Sequence, residues 1–281
     1  MPRTEAYRFA FLTDMQLGAY ASFSGLTEEA ARSADEAGLK IEPVPVVEGC
    51  EWDACRYEEA VREVNRLAPS LVVIGGDMLD DPGSEEQYRE FMRITGGIDP
   101  SIPVRWIPGN HDAADDTVVP TPDSLARYRN AFGFDYFAFD GGPLRFVALD
   151  TVVIDHPEEV PGEWEAQRRF LEAELEAAAA RGRPVVLVGH HPLFGGRPDE
   201  DDDYWNLPLE RRRVILDLVH RHRVPLMLAG HWHRNAVALD GDFEMVTAGP
   251  VGYPLGDDPP GFLLVDYFGG SFTRRYVPTG G

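Results

Sequence analysis

The sequence has 281 residues, a formal net charge of −22 and a hydrophobic fraction of 43%, enough apolar content to bury a sizeable core in one large α/β domain or two small ones. A field of that sign repels polyanions, and no basic run reverses it locally, so the composition argues against nucleic acid and anionic membranes as partners. Lys40 is the only lysine, and Cys50 and Cys55 are the only cysteines, too few for a disulfide framework and expected to be reduced thiols.

Residues 1–14 hold no long apolar stretch, and no run approaches the ~18 apolar residues of a membrane span, so a cytoplasmic protein without membrane attachment is expected. No Pro/Gly/Ser-rich linker divides the chain, and apolar runs recur as far as Tyr267. That pattern predicts a single domain over residues 1–281 on one continuous sheet system.

In chain order, residues 7–13 form an apolar run that ends at Asp14. Glu51–Leu67 has a helical pattern with Cys55, Tyr57, Val61, Val64 and Leu67 near one face and Pro69 beyond its end. Residues 71–75 lead through Gly75-Gly76 to Asp77, and residues 104–107 run into Pro108-Gly109-Asn110-His111. Thr121 and Pro122 supply an N-cap and a first helical residue. Segments 136–139 and 144–149 flank the hairpin-type turn Asp140-Gly141-Gly142. Helical patterns at 163–181 and Leu209–His222 alternate with Val185–Val188, which ends at Gly189-His190-His191-Pro192, and with 226–228, which ends at Gly230-His231-Trp232-His233. Two further hairpins pair 236–239 with 243–248 and 262–265 with 272–276. Strands alternating with helices argue an α/β fold with mixed sheets, in which ligands gather at the carboxyl ends of strands.

A single strand-end Asp is ordinarily a turn or cap residue, and a single His is ordinarily a hydrogen-bonded surface or core residue. Five strand ends that each carry hard or borderline metal ligands in a Gly- or Pro-shaped turn have little structural reason to coincide. Two cations can clamp a phosphoryl group when one carboxylate bridges them and separate N and O donors complete each ion. Asp14, Gln16, Asp77, Asn110, His190, His231 and His233 form that inventory. Asp14 and Gln16 alternate along a strand end, so both can face one ion only if the chain turns there.

The segments Asp14-Met15-Gln16, Gly76-Asp77-Met78-Leu79-Asp80, Gly109-Asn110-His111-Asp112, Gly189-His190-His191-Pro192 and Gly230-His231-Trp232-His233 resemble, in order and spacing, the five motifs of the calcineurin-like metallophosphoesterases. The resemblance covers nearly the whole chain. It implies a four-layer sandwich of two mixed β-sheets flanked by helices, two divalent or mixed-valence metal ions at the sheet edge, and hydrolysis of a phosphate monoester, on phosphoprotein or a small phosphate ester, by a metal-bridging hydroxide. It places Asp14, Gln16, Asp77 and His233 on one ion and Asp77, Asn110, His190 and His231 on the other. It makes His111 the acid that protonates the leaving oxygen and Asp80 the carboxylate that orients it. Where Gln16 stands the family commonly has His, and an amide oxygen there favours Mn, Fe or Mg over Zn.

Two branches of the family look like this chain: the manganese-dependent ADP-ribose/CDP-alcohol diphosphatases and the calcineurin-like phosphoesterase-domain-containing serine/threonine phosphatases. The second is the more similar, through Asp14 to Gly18, the segment 199–207 and His231 to Ala236. A phosphodiesterase or nucleotide-diphosphate hydrolase on the same metals is the alternative activity, and a non-catalytic metal-binding partner domain is a third reading. Asp81 occupies the place of an arginine found in many phosphoprotein phosphatases, so no arginine clamp on phosphate is expected from that motif. Arg234, Trp232 and Tyr253, with Asn110, His111 and the Trp205 segment, are the candidates for touching substrate, against simple loop packing. The acidic run 199–203 reads as a solvated loop that would disfavour highly anionic substrates if it borders the cleft. His156, His191, His220 and His222 have no motif support, although His191 could lie behind the ligands.

Overall fold

A computed structural model describes residues 6–36, 40–41, 44–115 and 118–279. Its elements are β1 (Tyr7–Leu12), α1 (Ala19–Ser22), α2 (Glu28–Glu36), α3 (Glu51–Leu67), β2 (Val72–Ile74), α4 (Glu85–Thr95), β3 (Val104–Trp106), α5 (Asn110–Ala113), α6 (Pro122–Phe132), β4 (Phe137–Gly141), β5 (Leu144–Ala148), α7 (Thr151–Asp155), α8 (Glu163–Ala180), β6 (Val185–Val188), α9 (Leu209–His222), β7 (Leu226–Ala229), β8 (Ala236–Asp240), β9 (Phe243–Thr247), β10 (Gly261–Phe268) and β11 (Ser271–Pro278).

The strands form two sheets, not one continuous system: a five-stranded sheet in the order β11-β10-β1-β2-β3 and a six-stranded sheet in the order β4-β5-β6-β7-β9-β8. An apolar run shows that a strand is covered on both faces, but not which strand it hydrogen-bonds to. Both sheets are mixed. β1, β2 and β3 run parallel, with β10 and β11 added antiparallel. β5, β6, β7 and β9 run parallel between the antiparallel edges β4 and β8.

Alternation along each strand separates the core into layers. Phe9, Phe11 and Val73 of the first sheet meet Phe146, Val186 and Leu228 of the second in the central layer, where Phe9 packs edge-on against Phe146 at 5.0 Å. On the outer face of the first sheet, Ala10, Leu12 and Ile74 pack against Tyr57 and Val64 of α3 and Phe91 of α4. Outside the second, Leu187 and Met227 meet Leu175 of α8 and Ile215 and Val219 of α9. Each such buried Leu or Phe contributes roughly 1.5–3 kcal/mol, and the result is four layers, helix, sheet, sheet, helix.

α3 has the bounds that its pattern predicts, but its inward face runs through Asp53, Ala54, Tyr57, Ala60, Val61 and Val64. Cys55 is exposed: it stands two residues before Tyr57, and positions i and i+2 do not share a helix face. α6 begins as expected, with Pro122 in its first turn and the Thr121 side chain accepting from the Ser124 N–H. No helix among the described residues is long and apolar enough to cross a membrane. The parallel strands β1, β2 and β3 of one sheet and β6 and β7 of the other bring their carboxyl ends to one edge of the sandwich. The Asp14 carboxylate ties the sheets there by accepting from the His231 N–H at 3.2 Å.

Candidate metal centre

The turns at this edge are tight enough to force unusual backbone. Asp14, Gln16, Asp77, His231 and His233 all have positive φ, between 41° and 64°, a left-handed conformation that costs a non-glycine residue of order 1 kcal/mol and concentrates at functional sites. The positive φ at Asp14 and again at Gln16 supplies the turn that two alternating positions need to share one side. Neighbouring loops hold this backbone: Asp14 N donates to Gly76 O at 3.0 Å and Gln16 N to Asp77 O at 2.8 Å. A Cβ on Gly109 would lie 2.1 Å from Asp77 Oδ1, and one on Gly230 would lie 2.0 Å from Thr13 Oγ1, so both glycines are required by close approach.

Donor atoms converge inside. His190 Nε2 lies 3.1 Å from Asp77 Oδ2 and 3.9 Å from Asp14 Oδ1, and 3.1 Å from Asn110 Oδ1. Asp77, His190 and His231 bring one ligand atom each within 4.8 Å of one another. His233 Nε2 lies 3.2 Å from Asp14 Oδ1. Asp77 therefore faces a group made of Asn110, His190 and His231, and Asp14 pairs with His233 beside it. All of these side chains are buried.

Each histidine is oriented by a backbone carbonyl on one ring nitrogen. His190 Nδ1 is 2.9 Å from Gly75 O, His231 Nε2 is 2.9 Å from Tyr204 O, and His233 Nδ1 is 2.7 Å from Tyr253 O. A carbonyl only accepts, so these nitrogens carry an N–H and the opposite nitrogen of each ring faces the cluster, where it presents the lone pair that a metal ligand needs once it holds no proton. Burial pushes the Asp77 carboxyl up, but His190, His111 and His231 outweigh it and hold Asp77 below the ordinary carboxylate range. Burial likewise opposes charge on His190, yet Asp77 and Asp14 raise its imidazole to about 9. Buried carboxylates that draw protons onto imidazole mark a site short of positive charge, and the donor set of two carboxylates, an amide oxygen and three imidazoles fits divalent ions of the hard to borderline kind.

Gln16 sits at the rim of this group. Its Nε2 donates to Asp80 Oδ1 at 3.0 Å and lies 3.2 Å from His111 Nε2. His111 Nδ1 donates to the Asp80 carbonyl oxygen at 3.0 Å and lies 3.7 Å from Asp80 Oδ1. Gln16, Asp80 and His111 thus form one hydrogen-bonded set beside the cluster. Burial pushes the His111 imidazole down, but the charge of Asp77 and the Asp80 carbonyl outweigh it and leave it raised.

Three residues of the site receive no role from the sequence, although Asp112 and Tyr204 lie in segments that carry the resemblance. The Asp112 carboxylate accepts from Met78 N at 3.0 Å, Leu79 N at 3.3 Å and Gly109 N at 2.9 Å, and so fixes the turn after Asp77 to the turn before Asn110. Thr151 Oγ1 accepts from the His190 and His191 N–H groups at 3.1 and 2.9 Å. Tyr204 covers the centre: its ring lies 4.8 Å from the His231 ring and its hydroxyl hydrogen-bonds with Asn110, while burial and Asp77 push that hydroxyl to about 12.

His191 does lie behind the cluster, with Nδ1 3.0 Å from Thr151 Oγ1 and its ring 4.2 Å from His231. Tyr253 is placed otherwise than a cleft-lining ring would be. It is 1% exposed and packs on Tyr20 and Phe23 at 4.9 and 4.8 Å, so it serves the site through its carbonyl. Arg234 stacks over Trp232 at 5.7 Å, next to the loop that carries His231 and His233. The acidic run is a solvated loop, with residues 199 and 201–203 exposed, and it is fastened to its neighbours. Glu200 accepts from the N–H groups of Gly195, Gly196 and Arg197 at 2.6–2.9 Å, and Asp202, Asp203, Tyr204 and His191 line a cavity of about 360 Å³ beside the centre. His220 pairs with Asp240 at 2.7 Å, away from the site.

Residues 7–235 match the calcineurin-like phosphoesterase family. The chain is 33% identical over 237 residues to the serine/threonine-protein phosphatase CPPED1 of Danio rerio, across 81% of this chain and 76% of that protein. It is 31% identical over 238 residues to the Homo sapiens protein of the same name, across 81% and 75%. Among solved structures, a dimetal phosphatase from Danio rerio superposes with a TM-score of 0.66 at 15% identity, over 96% of this chain and 95% of that one. The purple acid phosphatase PPD1 of yellow lupin gives 0.64 at 14%, over 98% and 52%. At these identities the structural likeness is one of fold.

Proposed function

The chain belongs to the calcineurin-like phosphoesterase family and is a metal-dependent phosphoester hydrolase; from that premise we propose that it hydrolyses phosphate monoesters carried on a neutral or cationic body, such as a phosphoserine or phosphothreonine side chain. The observation that carries this reading is the acidic wall beside the centre, where Asp155, Asp202 and Asp203 line one cavity with Tyr204. One phosphoryl group can be neutralised at the metal site, but a second phosphate, as in a nucleotide diphosphate, would lie against those carboxylates. The curated relatives named as serine/threonine phosphatases support the same substrate class.

In this reading Asp14, Gln16, Asp77 and His233 hold one ion, and Asp77, Asn110, His190 and His231 the other. The oxygen-rich first site favours Mn, Fe or Mg. Bound there, the ions supply Lewis-acid activation of water and of the phosphoryl oxygens. The protein's own groups do the rest. The carbonyls of Gly75, Tyr204 and Tyr253 fix the ligand tautomers, Asp112 holds the two ligand turns in register, and the half-exposed Tyr204 hydrogen-bonds with Asn110 at the mouth of the site. His111 is anchored through Nδ1 to the Asp80 carbonyl, so Nε2, which meets the Gln16 amide in this structure, is the nitrogen that would deliver a proton to the leaving oxygen.

The test is a rate comparison on the metal-reconstituted protein, with Mn, Fe, Mg and Zn in turn, between p-nitrophenyl phosphate, a phosphoserine peptide, bis-p-nitrophenyl phosphate and ADP-ribose. Monoester turnover at least tenfold above diester and diphosphate turnover is expected. The reverse order would assign the diesterase or diphosphatase activity to the same ligands.

A further inference from the structure

Among the described residues, the cavity of about 360 Å³ beside the metal ligands is lined by Asp155, Asp202 and Asp203 and by no lysine or arginine. The motif that carries Asp80 supplies no guanidinium either, since Asp81 follows it. Carboxylates repel a phosphoryl group, so its oxygens need hydrogen-bond donors at this mouth.

Tyr204 is fixed there by its backbone and its ring. Its N–H donates to Asp203 Oδ1 at 2.7 Å and its carbonyl accepts from His231 Nε2 at 2.9 Å, while its ring lies 4.8 Å from the rings of both His231 and Trp205. The residue is 51% exposed and lines the cavity, and its hydroxyl meets Asn110. One side chain thus reaches from the acidic wall to the ligands. Asn110 turns Oδ1 to His190 Nε2 at 3.1 Å, so its NH₂ is the group on offer to the phenol oxygen. An amide NH₂ only donates, and a phenol oxygen that accepts from it keeps its own O–H for another acceptor. Burial and Asp77 push that hydroxyl up to about 12, so its proton is in place at neutral pH.

Resting on the phosphoester reading above, we propose that Tyr204 is a substrate-binding residue in place of an arginine clamp, its hydroxyl donating to a phosphoryl oxygen while it accepts from Asn110 Nδ2. The acidic wall explains why a neutral donor serves here. A guanidinium beside Asp155, Asp202 and Asp203 would be drawn into ion pairs with them, whereas a phenol keeps its hydrogen for the substrate.

The probe is inorganic phosphate, titrated by calorimetry into the full-length, manganese-loaded protein, unaltered and as Tyr204→Phe. That variant keeps the ring and the carbonyl on His231 and removes only the hydroxyl. Elemental analysis gives the metal content of each protein and circular dichroism its fold. The Kd for phosphate should rise about tenfold or more in Tyr204→Phe, the scale of a lost charge-assisted hydrogen bond, with metal content unchanged. KM for p-nitrophenyl phosphate should rise with it. If Tyr204→Phe does not fold, Tyr204→Met, which also lacks the hydroxyl, is titrated in its place with the same loss expected. Equal phosphate affinity in the folded, fully loaded proteins would overturn the proposal. So would a loss that disappears when the variant is saturated with metal, because Tyr204 would then only support Asn110, and so would an absence of phosphate binding to the unaltered protein. The comparison reads affinity and not turnover, so a diester preference of the unaltered protein, which would sink the monoester reading, leaves it standing.

Discussion

The imidazole of His111 is held at both nitrogens, by the Asp80 carbonyl at Nδ1 and the Gln16 amide at Nε2. A protonated Nε2 cannot pair with an amide NH₂, so loading the acid requires the Gln16 NH₂ to move off His111 while its oxygen stays turned to the first ion. If His111 is the acid, its worth depends on the leaving group. An alkoxide departing from phosphoserine is strongly basic and needs the proton, whereas p-nitrophenolate is a stable anion near neutral pH. His111→Ala should lower kcat on an alkyl phosphate by a factor on the order of 10² or more, and much less on p-nitrophenyl phosphate, with metal content unchanged because Asn110 is the ligand. Equal losses on both substrates, with chemistry rate-limiting, would mean that His111 stabilises phosphate instead. The side chains around it were legible in the sequence because each follows a strand-like run, at Asp77 and Asn110 with a Gly or Pro turn between. The carbonyls of Gly75, Tyr204 and Tyr253 that set the ligand tautomers were not, since a backbone atom leaves no mark on residue type. Asp112 was legible in type only, because its three N–H donors come from two loops that meet only in the fold.

At the scale of elements, the acidic segment depends on one buried cation. Arg212, 0% exposed on α9, donates through Nε to Leu207 O at 3.0 Å, through Nη1 to Pro198 O and Glu200 O at 3.2 and 2.8 Å, and through Nη2 to Asn206 Oδ1 and Leu207 O at 2.8 Å. The loop that puts Tyr204 over the site is thus fastened from beneath. Arg212→Met should cost roughly 2–4 kcal/mol by leaving buried carbonyls without donors, seen as a lower denaturant midpoint. It should also open residues 198–207 to proteolysis. Arg212→Lys should recover only part, because an ammonium cannot span the fork. Retention of both stability and protease resistance in the Met variant would show that the loop holds without Arg212. Sequence pattern served the long elements well: α3 and α9 have the predicted bounds, and the Gly-containing turns marked all the hairpins. It missed α4, although the Ser84 cap and the Phe91, Ile94 and Thr95 face are present, because charged residues dilute its period. α1, α5 and α7 are too short to show a helical period.

Across the whole molecule, 48 acidic against 26 basic residues make the folded state self-repelling as pH rises, and several buried groups act in the same direction. Asp53, on α3, accepts from the N–H groups of Gly18 at 2.9 Å and Tyr20 at 3.4 Å, fastening the loop that follows Gln16. Burial drives its carboxyl up to about 7 against the pull of those N–H groups, and burial raises Asp155 to about 6. The sign follows from proton counts. Between about pH 4, where the unfolded Asp53 titrates, and about pH 7, where the folded one does, the folded state binds more protons, so stability falls with rising pH. His190, raised to about 9 by its carboxylates, extends the fall above pH 6.5 in the metal-free protein. Asp14 and Asp77, held low, oppose this only below about pH 4, whereas His231, pushed down to about 3 by burial and His190, and His191, pushed down by burial, oppose it as far as about pH 6.5, against Asp112, which burial raises to about 7 and which adds to the fall. The chelator-treated protein should therefore melt at progressively lower temperature from about pH 6.5 to pH 8, more steeply at low salt, where repulsion is least screened. Divalent metal should reverse the trend, because binding releases protons from the ligands and gains with pH. Asp53→Asn keeps a carbonyl oxygen for Gly18 and Tyr20 but cannot ionise. By scanning calorimetry its melting temperature should fall less, or climb more, between pH 5 and pH 7 than that of the unaltered protein, by the share of one group whose full shift is worth on the order of 4 kcal/mol. Parallel melting curves for the two proteins across that window would show that Asp53 does not take up its proton on folding, and that the slope belongs to surface repulsion and the metal ligands alone.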